Sequence, residues 1–431
     1  MRLLIIGAGP GGYETAVEAA KRGLEVTLIS EGPMGGTCLN EGCIPTKTFC
    51  HYAELIEQNL KAGIDCKPAF AAAAERKQAV IEQLRGGIDM LLKNVQVVRG
   101  KAQFKDAKTV VCDGQEYTAD KIIIATGSVS ASLPIPGADS CLTSKEILDF
   151  TEVPESLCVI GGGVIGLEFA SIFRSFGSEV TVLEYCPNIL PRFDVDLAKR
   201  LKQSLSKRGI NIEVQAQVTG IDGNTVTYLK KDKEFTVQAD KILMAVGRRP
   251  NTEGLNLEAA GIDYTRKGIT VNDRFETSVP GIYAVGDVTG GIMLAHAATY
   301  QGLHALNVIC GQQDSIRFDL IPAAVFTMPE VATVGLTEEQ CKEQELQVRC
   351  LKSFYRANGK AVSMDETDGY CKLIVSESGA ILGAHLMGAH ASDLIHETAA
   401  VMNLNGTLEQ LQNVIHAHPT LSEVLQTALH N

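Results

Sequence analysis

Two cysteines separated by four residues, Cys38 and Cys43, lie in the run Gly35-Gly36-Thr37-Cys38-Leu39-Asn40-Glu41-Gly42-Cys43-Ile44-Pro45-Thr46-Lys47 and form the closest pair among the chain's twelve. The spacing is not the CxxC of a thioredoxin motif or a zinc ribbon, and no second pair completes a tetrahedral metal site. A cysteine near the start of a helix feels the positive end of the helix dipole, and Lys47 adds a second positive charge. Both favour the thiolate, which is the form that attacks a disulfide. A redox-active disulfide is therefore expected in preference to bound zinc. The remaining cysteines, such as Cys112, Cys158 and Cys310 in apolar segments, read as small buried hydrophobes.

A reactive pair needs a partner to take its electrons, and the chain repeats a unit suited to holding one. Leu4-Ile5-Ile6-Gly7-Ala8-Gly9-Pro10-Gly11-Gly12 is answered 154 residues later by Cys158-Val159-Ile160-Gly161-Gly162-Gly163-Val164-Ile165-Gly166. In each copy a helix-length stretch ends at a glycine, Gly23 or Gly177, and a second apolar strand follows. The first glycine allows a tight strand-to-helix turn, the second lets a pyrophosphate approach the backbone, and the third lets helix and strand pack closely. The helix N-terminus then offers unpaired N–H groups to the phosphates. Two such motifs, each followed by an acidic residue, predict two dinucleotide sites. Glu184 directly follows the second strand with no basic residue after it, which favours the free ribose of NAD over NADP. Glu31 is its counterpart but falls one position later.

Length and composition agree with this outline. A chain of 431 residues exceeds what one core usually holds, so two to three domains are expected. With 45% apolar and 21% charged residues the composition is that of a globular protein. A net charge of −12 and no basic patch argue against nucleic acid or an anionic membrane. No apolar run is long enough to span a bilayer, and Met1-Arg2 leads straight into a strand. A cytoplasmic protein is expected, where structural disulfides are rare. Lys121 to Gly127 and Lys241 to Gly247 read as strands that close the two units, and the strand Tyr283 to Asp287 ends in a carboxylate suited to a hydroxyl-rich ligand, or to capping a helix. From about Phe318 the pattern changes to strands and a helix without a phosphate turn.

The cysteine run, the strand end Ala125-Thr126-Gly127-Ser128, the turn Gly247-Arg248-Arg249-Pro250-Asn251, the segments Tyr283 to Asp287 and Met293-Leu294-Ala295-His296, and the terminal His416-Ala417-His418-Pro419-Thr420-Leu421-Ser422-Glu423 together resemble the pyridine nucleotide-disulfide oxidoreductases. Within them the likeness is greatest to the branch that oxidises dihydrolipoamide with NAD, and it covers nearly the whole chain. It implies an α/β fold of two Rossmann-like units and a C-terminal α+β dimerisation domain. The segments would be 1–150 for FAD and the disulfide, 151–250 for NAD, 251–316 completing the FAD site, and 317–431 for dimerisation. It implies FAD on Gly7, Gly9, Gly12, Glu31, Gly36, Thr37, Lys47, Ala102, Thr126, Gly127, Ser128, Asp287, Met293, Leu294, Ala295 and His296. It implies NAD on Gly161, Gly163, Val164, Ile165, Gly166, Glu184, Val218 and Gly247.

By the same resemblance Cys43 is the flavin-proximal sulfur that forms the charge-transfer thiolate, and Cys38 exchanges with the dithiol substrate. His418, oriented by Glu423, would be the base, supplied by the partner of a homodimer. His416 competes for that role. Lys47 and Glu168 match a pair beside the flavin, against the plainer reading of a surface ion pair. No metal is expected. The partner would be the lipoyl-bearing protein of a 2-oxo acid dehydrogenase complex or the H-type protein of glycine cleavage. The chain departs from the family in being shorter, with a clipped loop from Glu31 to Cys38 and an Ala-rich helical stretch around Cys66 to Ala74. Other readings are a reductase of glutathione or mercuric type, a flavin oxidase or NADH peroxidase, a docking subunit or redox sensor, or a related NADH-dependent disulfide reductase with another thiol substrate. Glu184 speaks against the NADP-linked enzymes, and the paired cysteines against the oxidases.

Overall fold

The computed structural model describes residues 1–64 and 69–430. The chain starts with the strand Arg2–Ile6, turns at Gly7 and enters helix α1 (Pro10–Lys21), whose first position is a proline with φ already suited to a helix. The strand Glu25–Ser30 returns parallel to the first. Three helices follow: the short α2 (Gly36–Glu41), α3 (Cys43–Lys61) and α4 (Phe70–Leu91). Of the expected Ala-rich helical stretch, Phe70 to Ala74 open α4, and Cys66 lies outside the described residues.

A five-stranded parallel sheet has the order Ile282–Ala284, Lys121–Ile124, Arg2–Ile6, Glu25–Ser30, Gln96–Arg99. Leu3, Leu4, Ile5 and Ile6 are all buried, as a strand covered on both faces requires. One strand differs from the sequence expectation. Lys121–Ile124 does not close this unit, because Ile282–Ala284 returns from far along the chain and pairs on its outer side. Alternating contacts with two neighbours look the same in sequence as a buried edge, so the local pattern could not reveal the returning strand.

The second copy repeats the plan with Ser156–Ile160, α5 (Val164–Phe176), Glu179–Glu184, α6 (Val195–Lys207), Ile210–Val214 and the closing strand Lys241–Met244. Helix α5 stops at Gly177, which takes the left-handed conformation at φ 109°. Asp194 caps α6 by accepting from the N–H groups of Asp196 and Leu197. After the returning strand, α7 (Ala295–Ile309) lies against α1. The C-terminal part is a five-stranded antiparallel sheet, ordered Ala323–Val325, Val331–Gly335, Ile381–Met387, Tyr370–Ser376, Val348–Phe354, with helices Ala391–Asn403 and Glu423–Leu429 packed on it. The architecture is therefore α/β with two Rossmann-like units and an α+β C-terminal domain.

One apolar cluster crosses these segments. Phe49 and Phe70 from α3 and α4, Phe169 and Phe173 from α5, and Val325, Tyr370 and Met387 from the C-terminal sheet belong to it. Beside it, the fully buried Lys372 ammonium contacts Asp194 at 2.8 Å and Glu338 at 2.7 Å. A buried cation of this kind has a place in the core only because it is paired.

Candidate redox site

Both glycine turns, the cysteine pair and the returning segment open onto one cavity of about 2660 Å³. At the first turn a Cβ on Gly7 would lie 2.3 Å from the Ala125 carbonyl oxygen, and at the second a Cβ on Gly161 would lie 2.4 Å from that of Ala245. Each turn is therefore pressed against the neighbouring strand, and only glycine fits. Gly12 and Gly166 sit behind the turns, where a Cβ would meet the carbonyls of Gly7 and Gly161. Gly9 and Gly163 face open space with no atom within 4 Å, and neither helix that they precede has a side-chain cap. Pro10 has no N–H and the Gly12 N–H donates to the Gly9 carbonyl at 2.9 Å, so the Gly11 N–H at α1 and the first-turn N–H groups of α5 are left for an outside acceptor. An open cradle, uncapped helix starts and an adjoining long cavity fit a dinucleotide at each turn.

The acidic residues are placed differently. Glu184 is buried, and its carboxylate accepts from the N–H groups of Gly162 and Cys186, both at 2.6 Å. Glu31 is exposed at the rim of the cavity. Val164, Ile165, Val218 and Gly247 line the cavity on the Glu184 side, and Gly36, Thr37, Ala102, Thr126 and Gly127 on the Glu31 side. Ser128 donates to Asp287 at 2.5 Å, and Arg248 donates to Ser128 Oγ and to its carbonyl, each at 2.7 Å. Asp287 lies in a 3-10 turn and caps no helix through its side chain. Met293, Leu294, Ala295 and His296 also line the cavity, and the His296 ring contacts the Pro322 carbonyl at 2.8 Å.

Cys38 sits within α2 and Cys43 begins α3, so the short turn at Gly42 folds one thiol against the other. The Cys38 thiol donates to the Cys43 sulfur. This hydrogen bond is the main reason that the Cys43 thiol is lowered to about 7; burial opposes the shift and Lys47 assists it. The same bond, with burial, pushes Cys38 well above the ordinary thiol range. Cys43 is the more exposed of the two, and both open onto the cavity.

Lys47, one turn along α3, meets both carboxylate oxygens of Glu168 on α5 at 2.8 and 2.9 Å. Glu168 is 4% exposed, so this is a buried bridge between the two units and not a surface pair. Two residues that the sequence reading did not single out also meet here. Phe326 places its ring 4.5 Å from the Lys47 ammonium, and Cys50 donates to the Phe326 carbonyl at 3.4 Å. Arg248 was visible only as part of a turn motif, since its contact with Asp287 through Ser128 depends on the returning strand.

His418 and Glu423 form their own pair on the C-terminal domain, Nδ1 to Oε1 at 2.9 Å, and the His418 side chain is 78% exposed. They do not line the cavity that holds the cysteines. His416 differs: its side chain is 3% exposed and bonded to Glu397 at 2.8 Å. Among the described residues no group of His, Cys, Asp and Glu side chains could hold a metal ion. Among them, too, no helix is long and apolar enough to cross a membrane.

Residues 1–302 match the family model described as pyridine nucleotide-disulphide oxidoreductase, and residues 321–429 match the dimerisation domain of the same family. A dihydrolipoyl dehydrogenase of Geobacillus stearothermophilus is 42% identical over 99% of this chain and 94% of its own. One from Bacillus subtilis (strain 168) is 39% identical over 100% and 98%. Among solved structures, a HOCl-induced flavoprotein disulfide reductase from Escherichia coli superposes with a TM-score of 0.90 at 33% identity, covering 100% of this chain and 99% of that one.

Proposed function

The chain belongs to the pyridine nucleotide-disulphide oxidoreductase family, and we propose that it oxidises dihydrolipoamide to lipoamide while NAD+ is reduced to NADH. FAD and NAD are the cofactors of this family. The observation that carries the reading is the Cys38–Cys43 pair, set on one cavity with the two phosphate turns.

In the oxidised protein the cysteines form a disulfide. A substrate thiolate attacks Cys38 Sγ, the Cys38–Cys43 bond breaks, and Cys43 leaves as the thiolate that Lys47 stabilises. The second substrate thiol then displaces Cys38, releasing lipoamide and leaving both cysteines reduced. The first substrate thiol gives its proton to His418, whose imidazole is oriented by Glu423 through its Nδ1, and the proton of the second thiol passes to Cys38. FAD, when bound, supplies a two-electron path between the dithiol and NAD. Gly7, Gly9, Gly12, Glu31, Gly36, Thr37, Ala102, Thr126, Gly127, Ser128, Asp287 and Met293 to His296 would hold FAD. Gly161, Gly163 to Gly166, Glu184, Val218 and Gly247 would hold NAD. Lys47 and Glu168 fix the charge between the two sites.

His418 and Cys38 are assigned to different subunits of a homodimer, since the exposed His418–Glu423 pair stands apart from the cavity of its own chain. Residues 1–150, 151–250, 251–316 and 317–431 are assigned to FAD, NAD, the return to the FAD site and dimerisation. The substrate arm is assigned to a separate lipoyl-bearing protein of a 2-oxo acid dehydrogenase complex or of glycine cleavage, in the cytoplasm. Purified protein should reduce NAD+ with dihydrolipoamide and should not use glutathione disulfide with either nicotinamide cofactor. Cys43→Ser should lower turnover at least ~10³-fold with FAD still bound. A wild-type rate in that variant, or no NAD+ reduction by the native protein, would overturn the reading.

A further inference from the structure

Phe326 belongs to the dimerisation domain, yet it enters the redox site of its own chain. It follows the strand Ala323–Val325, and the segment beginning there is bonded to both α3 and α5. Three hydrogen bonds fix its backbone. The Phe326 N–H donates to Glu168 Oε1 at 3.0 Å, the Met328 N–H donates to Ser171 Oγ at 3.2 Å, and Cys50 Sγ donates to the Phe326 carbonyl. Glu168 and Ser171 are one turn apart on α5 and therefore share a face, where they meet the alternate N–H groups of the segment. With the backbone held, the ring faces the Lys47 ammonium at 4.5 Å and lines the cavity together with Cys43.

An ammonium is a compact charge on a flexible four-carbon stem, and a carboxylate alone leaves it room to shift. A π face adds attraction and keeps water from that side. We propose that Phe326 is a positioning residue whose ring holds the Lys47 ammonium in place beside Glu168, where it acts on Cys43. The inference rests on the reading above, in which Cys43 is the working thiolate. The groups acting on Cys43 are Cys38, Lys47 and Glu168, with Arg248 also within reach. Lys47 favours the thiolate and Glu168 opposes it, so an ammonium free to wander leaves the sulfur more exposed to the carboxylate.

The test is the pH dependence of iodoacetamide labelling at Cys43, followed by peptide mass, in the FAD-loaded protein after anaerobic reduction. Phe326→Leu should move the midpoint upward by about half a pH unit. Phe326→Tyr, which keeps the ring face, should match wild type. The backbone hydrogen bonds survive either change, and if the leucine variant does not fold, Phe326→Met makes the same comparison. An unchanged midpoint in the leucine or methionine variant, or a tyrosine variant shifted as far as leucine, would overturn the proposal. Neither dihydrolipoamide nor NAD takes part in this measurement, so a wrong substrate assignment leaves it standing and is detected separately by the turnover assay.

Discussion

The two phosphate turns are nearly the same in backbone and different in what covers them. Gly7 and Gly161 are forced by carbonyls at 2.3 and 2.4 Å, and Gly9 and Gly163 are both open. Around the first turn, however, α2 closes in: Gly35 N–H donates to the Ala8 carbonyl at 2.9 Å, and a Cβ on Gly36 would stand 2.6 Å from the Gly9 Cα. Around the second a loop takes that place without a helix, its Leu190 N–H donating to the Gly162 carbonyl at 2.9 Å, and the adjacent carboxylate is locked by two N–H groups. Strand–turn–helix geometry is thus a local property that repeats, whereas the helix bearing Cys38 is an addition to one copy only. That addition sets the cysteine pair beside one turn alone.

The likeness of the turns would be broken most severely at their first glycines. Gly161→Ala combines a left-handed φ with a carbonyl clash, and NADH binding should weaken at least about a hundredfold while FAD stays bound. Gly7→Ala should do the reverse; fluorescence titration with NADH and flavin content measure the two losses. Next in size, Glu184→Ala should raise the KM for NADH by roughly 10 to 100-fold and leave flavin content unchanged, since it removes a charged acceptor already held in place.

The thiols of the two units should separate by roughly tenfold at pH 7. Labelling of Cys43 should rise with pH and level off above about 7, because its thiolate is stabilised. Labelling of Cys186 should still be rising at pH 9, because burial and its contact with Glu184 push that thiol upward. Equal labelling rates would remove the distinction drawn between the units. The smallest effect belongs to Glu31→Ala, whose exposed side chain should alter flavin retention by no more than about threefold.

What could be read from the sequence was what is local. A glycine that must sit under a carbonyl leaves a fixed spacing, so both turns were visible without any tertiary information. The His418–Glu423 pair was expected only through the family resemblance, and it is joined by a direct hydrogen bond. Lys47 and Glu168 stand 121 residues apart, and only a family pattern connected them. Phe326 and the buried Lys372–Asp194 pair carried no signal at all, and Arg248 only its place in a turn motif, because each contact is defined by a partner on another segment. Aromatic and charged residues are common, and nothing in their own surroundings marks the few that cross between units.

The apolar cluster that joins α3 and α4, the second nucleotide unit and the C-terminal sheet has a consequence for how the molecule comes apart. Segments that each look like a separable domain share side chains in one interior, so none can be excised without uncovering Phe169, Phe173 or Tyr370 to water. Heat should melt them together in a single cooperative step, and a fragment ending near residue 316 should be an aggregating species instead of a working half-enzyme.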